Sequence, residues 1–347
     1  MKNFFRNVLT ITVPAVIVFL LLLELFFKFI VPSAYPPMAY FDEVELIYHH
    51  FPNQRGLMTF GSFAQQKAKY RINNHGWNSP IDYDERKQKT RIAVIGDSYI
   101  EAFQVDTEKS YPSLLREKVK NDFDVYSFGK SGAPFSEYLH FSRYVNQRYR
   151  PDILIFNIVH NDFNESIASF NPQDSEIMTL KLNAGSISER IPAPNYSFQQ
   201  YNWKKRLIMK SALIRYLFFN LKMKGALVSL KNRVKTLLPQ RNIQAGIIYN
   251  ANVEVNKVLA QKHQIEMAVD YIIGKIKEEN SDKKVIFVMD APRSDIYKNA
   301  IESSNLLFLH HMMEKYCAKY DIDLLDLTLP MKEDYRTNQT RFESENE

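Results

Sequence analysis

The longest apolar run opens the chain. From Val8 to Val31 it reads VLTITVPAVIVFLLLLELFFKFIV, with only Glu24 and Lys28 charged, both near its far end. About 20 such residues, rising roughly 1.5 Å each, cross a bilayer core, so the pattern predicts a transmembrane helix over residues 8–31. Pro14 is tolerable in a lipid-embedded helix. A secretory signal has a shorter apolar region and a small-residue cleavage site, and Pro32-Ser33-Ala34 keeps cleavage open. Lys2 and Arg6 precede the span and no Lys or Arg follows before Arg55. The positive-inside rule then puts residues 1–7 in the cytoplasm and the rest outside, in a bacterium the periplasm or cell envelope. No later segment is long and apolar enough to cross, which predicts a single pass through the inner (plasma) membrane.

Residues 32–90 form a lead-in rich in aromatics and amides, ending in a charged linker from Asp82 to Lys89. The pattern then alternates. Short apolar runs, expected as buried strands, lie at Arg91–Ile95, Val125–Phe128, Ile153–Val159, Val285–Met289 and Ile322–Leu325. Helical stretches fall at Tyr111–Lys120, Ser136–Arg148, Asn256–Glu279 and Leu306–Tyr320. Strands alternating with helices argue for an α/β domain, a three-layer parallel sheet covered on both faces, over residues 91–347. An irregular, partly basic insertion at about 165–250 interrupts it. In such sheets the reactive groups belong at the carboxyl ends of the strands.

Composition changes this picture in three ways. With Cys317 as the single cysteine, no intrachain disulfide framework or four-cysteine zinc site can form. Glycine is scarce, 10 in 347, yet Gly96, Gly129 and Gly132 fall close together at strand ends. The net charge of +6, from 45 basic and 39 acidic residues, would raise nucleic acid as a partner. Its distribution argues otherwise: Lys204 to Arg241 holds eleven basic residues and no acid, and without them the chain is mildly acidic.

The strand ends carry the chemistry. The first ends in Gly96-Asp97-Ser98-Tyr99, a serine on a tight turn. The second ends in Ser127-Phe128-Gly129-Lys130-Ser131-Gly132-Ala133-Pro134, where small residues let the backbone approach a ligand. The third ends in His160-Asn161-Asp162, an amide donor at the same rim. A serine hydroxyl, a glycine N–H and an asparagine N–H converging on one point are a nucleophile and an oxyanion hole, as acyl transfer needs. These three blocks, in this order, resemble the SGNH hydrolase superfamily, or GDSL-type esterases, with a flavodoxin-like sheet. The resemblance covers roughly Arg91 to Leu329. It implies Ser98 as nucleophile, with the backbone N–H groups of Ser98 and Gly132 and the side chain of Asn161 as the oxyanion hole. Asn73-Asn74-His75-Gly76-Trp77 is similar to the lead-in of membrane-anchored, envelope-located members acting on acyl groups of surface polysaccharides; a structural cap over the sheet edge is the other reading.

The family's fourth block, Asp-x-x-His after the last strand, is not found. The strand Asp323-Leu324-Leu325-Asp326 leads to Pro330, and no histidine lies beyond His311. Three explanations stand: a chain truncated just before the block, an inactive relative that binds without turnover, or a substitute histidine. His310 and His311 fit a buried helical pattern. His160 reaches the rim but lacks an obvious acid partner, and His75 could arrive only if the lead-in folds over the sheet. Asp290 and Arg293, at the end of the fourth strand, suit substrate contact or a loop cap, and His160 is a third possible substrate contact. Asp97 and Asp162 are suited to bracing their loops. No cofactor or metal is implied.

The basic stretch, 204–241, interleaves Leu207, Ile214, Phe218 and Leu221 on one helical face with its charges. It suits anionic lipid headgroups, an anionic glycan, or a merely solvated insertion. The expected protein is thus a membrane-anchored esterase or O-acyltransferase for ester-linked acyl groups, acetyl first, of a cell-envelope glycan. The alternative is an anchored glycan-binding or assembly protein using the same cleft without catalysis.

Overall fold

The computed structural model describes residues 2–170, 175–183, 186–194, 208–222, 249–250, 253–339 and 341. Most of the basic stretch, apart from 208–222, lies outside them.

The N-terminus is helical from Lys2 to Phe29, with a π turn at Val8–Thr12 just ahead of Pro14. Proline has no N–H to donate and its ring crowds the carbonyl four residues back, and a widened turn relieves both. The segment Phe4–Phe29 is long and apolar enough to cross a membrane.

The chain divides into two compact units. The first joins residues 1–36, 56–69 and 200–243. Within it, the Glu24 carboxylate accepts hydrogen bonds from the Ser211 hydroxyl (2.7 Å) and from the Ala212 and Leu213 N–H groups (2.6 and 2.9 Å). These are orphan donors at the start of the helical segment Ala212–Asn220, so the one acid of the apolar run caps a helix of the distant insertion. Phe27 stacks on Tyr216 at 3.8 Å. Asn220 accepts from the Ala34 N–H (3.0 Å) and donates to the Thr59 hydroxyl (2.9 Å).

The second unit, residues 37–55, 70–199 and 244–347, holds the sheet. Its strands are β1 (Thr90–Gly96), β2 (Phe123–Gly129), β3 (Ile153–Ile158), β4 (Lys284–Met289) and β5 (Asp323–Asp326). All pair in parallel, in the order β5-β4-β3-β1-β2, which is the flavodoxin-like arrangement. The strand alternation sorts the core: Ala93 and Ile95 of β1 belong to a large cluster on one face, Ile92 and Val94 to a smaller one on the other. The large cluster is covered by helices Phe135–Tyr149, Lys262–Glu279 and Leu307–Lys319; on the long middle one Ile265, Ala268, Val269, Ile272, Ile273 and Ile276 are buried at helical spacing. The helix expected over Asn256–Glu279 is broken at Gln261, which leaves helical dihedrals between Val255–Ala260 and Lys262–Glu279.

Residues 37–55 and 70–90 of the lead-in are integral to this unit. Trp77 is buried edge-on against Phe128 and Phe141, with centroids 5.2 and 5.6 Å away. Strand β2 is an edge strand, and an open edge leaves backbone groups unpaired. Tyr83 closes it: its hydroxyl accepts from the Ser127 N–H (2.7 Å) and donates to the Ser127 carbonyl (2.9 Å). The lead-in is therefore a cap over the sheet edge. Inside the expected irregular insertion, Thr179–Asn183 and Ser186–Arg190 form an antiparallel hairpin, with Leu180 in the large cluster.

Candidate functional site

Ser98 is the first residue of a short helix, Ser98–Glu101, that leaves β1. Asp97 caps it, accepting from the Tyr99 N–H at 2.9 Å and from the Ser98 hydroxyl at 3.2 Å. Burial, with Asp290 nearby, pushes the Asp97 carboxyl up to about 6. Because β1 lies between β2 and β3, the loops after those strands flank the serine on either side.

On the β2 side, Lys130 to Ala133 form a turn closed by the Ala133 N–H on the Lys130 carbonyl (3.0 Å), and the Lys130 N–H donates to the Gly96 carbonyl (3.2 Å). Gly132 sits third in the turn at φ +78°, the position and sign of a type II turn, which favour glycine. A Cβ there would meet nothing within 4 Å, so this face of the loop is open. Gly129, in contrast, is crowded: a Cβ would come 2.2 Å from the Glu101 backbone N. Only glycine lets β2 run directly against the Ser98 helix.

On the β3 side, the Asn161 amide donates to Glu165 at 3.1 Å, one turn on. Asp162 braces the loop, accepting from the Val159 N–H (2.9 Å) and the Tyr138 hydroxyl (2.7 Å), and burial raises its carboxyl well above the ordinary range.

The histidines divide. His75 packs near Tyr149, 5.7 Å between ring centroids, and the Tyr149 carbonyl is bound by Arg91 at the start of β1. That is the amino end of the sheet, opposite Ser98. His160 hydrogen-bonds to no carboxylate among the described residues, but it meets a second imidazole that does. Its Nε2 lies 3.0 Å from Nε2 of His310, whose Nδ1 lies 2.5 Å from Asp326 at the end of β5. With His310 donating from Nδ1 to the carboxylate, its Nε2 accepts from His160 Nε2–H, which leaves His160 Nδ1 as a lone pair. Both rings are buried, and burial together with the neighbouring imidazole pushes His160 down to about 3. The expected burial holds for His310, but His311, expected to be buried with it, is exposed.

Asp290 and Arg293 satisfy one another, the guanidinium donating to the carboxylate at 3.0 and 3.1 Å. The same guanidinium lies 4.8 Å over the Tyr99 ring, beside the nucleophile turn. Burial raises Asp290, against the pull of Arg293.

Two residues at this rim carry no signal in the sequence. Glu101, buried at the end of the Ser98 helix, accepts from the Ser131 N–H (2.8 Å) and the Ser131 hydroxyl. His50, on the lead-in strand Ile47–His50, donates to its other oxygen at 2.8 Å.

No curated protein matches the chain. Solved structures similar to it include those of TesA (12% identity, 67% of this chain and 76% of that one, TM-score 0.33) and of phospholipase A1 from Streptomyces albidoflavus (11%, 68% and 79%, 0.32). A lipopolysaccharide acetyltransferase periplasmic domain from Salmonella Paratyphi A is similar at 11% identity (70% and 68%, TM-score 0.31). The family model for GDSL-like lipases and acylhydrolases matches residues 92–337, from the first core strand into the helix after the last. The chain belongs to the GDSL-like lipase/acylhydrolase family.

Proposed function

We propose that this protein is a serine-dependent ester hydrolase or O-acyltransferase, anchored by its N-terminal helix with the α/β domain outside the cytoplasm. Its substrate on this reading is an acyl ester, acetyl first, of a cell-envelope glycan. The observation that carries it is the placement of Ser98, Gly132 and Asn161 on the loops of three adjacent strands, with the Gly132 face open. Ser98 Oγ attacks the ester carbonyl carbon to form the acyl-serine, the ester C–O bond breaks, and the hydroxyl proton ends on the leaving oxygen, which departs as the alcohol. The N–H groups of Ser98 and Gly132 and the second amide N–H of Asn161 take the charge on the carbonyl oxygen, where a preorganised donor is worth about 10²–10³ in rate. Water or a second hydroxyl then resolves the acyl-serine. The Salmonella acetyltransferase domain supports transfer and the glycan class by its name alone.

One observation favours a second reading, an anchored glycan-binding protein. The Ser98 hydroxyl donates to Asp97 rather than to an imidazole. A fluorophosphonate probe on the full chain in membranes separates the two. The enzymatic reading expects a covalent adduct on Ser98 that Ser98→Ala abolishes, together with acetate release from an O-acetylated polysaccharide. A chain that stays unlabelled is the binding protein instead.

A further inference from the structure

The oxyanion loop and the nucleophile helix are tied together by one buried carboxylate. Glu101 is the last residue of the helix that Ser98 begins, and Ser131 immediately precedes Gly132. One Glu101 oxygen accepts both the N–H and the hydroxyl of Ser131. That oxygen is an acceptor for both, and with the second oxygen also accepting, the group is an ionised carboxylate. Burial opposes this, yet the His50 and Ser131 hydrogen bonds hold Glu101 below the ordinary carboxylate range. The other oxygen is taken by His50 Nε2–H, from a strand 51 residues earlier. The His50 ring is edge-on to Phe103 at 5.4 Å, and its Nδ1 is buried without a partner among the described residues. The Asn78 amide, also of the lead-in, donates to the Glu101 carbonyl at 2.6 Å.

A buried carboxylate with fewer donors would be costly to keep, and a turn with a free Ser131 peptide could rotate. The Gly132 N–H belongs to the next peptide unit, Ser131–Gly132, and its direction follows from the Ser131 backbone that Glu101 holds at both its N–H and its hydroxyl. We propose that Glu101, held by His50 of the lead-in, is the positioning residue for the oxyanion loop, so that the lead-in completes the active site instead of only covering the sheet. The proposal rests on the acyl-transfer reading above. Neither residue touches the substrate. Both act through Gly132, whose N–H must stay within a few tenths of an ångström of its place to meet a developing oxyanion.

The test uses the full chain in membranes or detergent, with p-nitrophenyl acetate turnover and the rate of fluorophosphonate labelling. Glu101→Ala and His50→Leu should lower kcat and the labelling rate about 10- to 100-fold while KM moves less than about threefold, since the loss falls on the transition state. His50→Gln, whose amide nitrogen can occupy the place of Nε2 and donate to Glu101, should recover most of the rate. Near-UV circular dichroism of the buried Trp77 reports whether each variant is folded. Should Glu101→Ala not fold, the His50→Leu and His50→Gln pair decides alone. Equal rates in wild type, His50→Leu and His50→Gln overturn the positioning role. An unlabelled wild-type chain overturns the acyl-transfer reading instead, so the two failures are distinct.

Discussion

At the scale of single residues, burial at the rim of the sheet keeps Asp97, Asp162 and Asp290 from ionising freely. Asp97 is the informative case because it touches the Ser98 hydroxyl and caps the helix. Its folded value, about 6, lies above the ordinary 3.8, so the folded chain holds a proton there that the unfolded chain has released. The stability from this preference is complete below about 3.8 and is lost as pH rises through 6. Asparagine caps a helix as well as aspartate and has nothing to ionise. Asp97→Asn should therefore gain on the wild type between pH 4 and pH 7, by on the order of 2 kcal/mol. Urea midpoints of the two chains across that window check it, and a gap independent of pH would show that the carboxyl is ordinary. His160 has the opposite sign: depressed to about 3, it contributes above 6.5 and loses its contribution as pH falls. The same scale shows what was hidden in the sequence. Ser98, Gly132 and Asn161 stand in short contiguous blocks at strand ends, and their residue types alone mark them. Glu101 and His50 are a common acid and a common histidine, and nothing near either in sequence says that they meet.

At the scale of elements, the five core strands and their helices are legible because burial imposes a period. Apolar runs bounded by glycine or charge mark the strands to within a residue or two. The lead-in hairpin strands Ala39–Asp42 and Ile47–His50 are not legible, since they are short and only half buried. Nor is the role of Glu24. An acid near the end of an apolar run looks like an interruption, yet it receives three donors of the segment beginning at Ser211. Glu24→Ala should leave those donors unpaired and loosen Ala212–Asn220 locally. Limited trypsin digestion in detergent should then cut faster at Lys210, Arg215 or Lys222, with no change in cleavage elsewhere. Unchanged kinetics would mean that the stacking of Phe27 on Tyr216 holds the segment by itself.

At the scale of the whole molecule, the chain is organised by contact and not by sequence order. The apolar run, part of the lead-in and part of the insertion make one unit, while the rest of the lead-in completes the α/β unit. The distribution of basic residues about Phe4–Phe29 bears on how the chain lies in a membrane. With Lys2 and Arg6 as the only basic residues before Val8, the N-terminus should stay inside. Protease added to intact spheroplasts should then digest the α/β domain. Its protection until the cells are lysed would reverse the proposed topology.

The sequence by itself determined the fold class, the order of chemical blocks and the apolar N-terminal segment. Each is written in local periodicity or in a few adjacent residues, which physical chemistry reads without knowing the rest of the chain. Only the tertiary structure decided which side chains meet. His160 and His310 are 150 residues apart and His50 and Glu101 are 51 apart. Their pairing depends on which strand ends the parallel order brings side by side, and on burial that leaves polar groups no partner but one another.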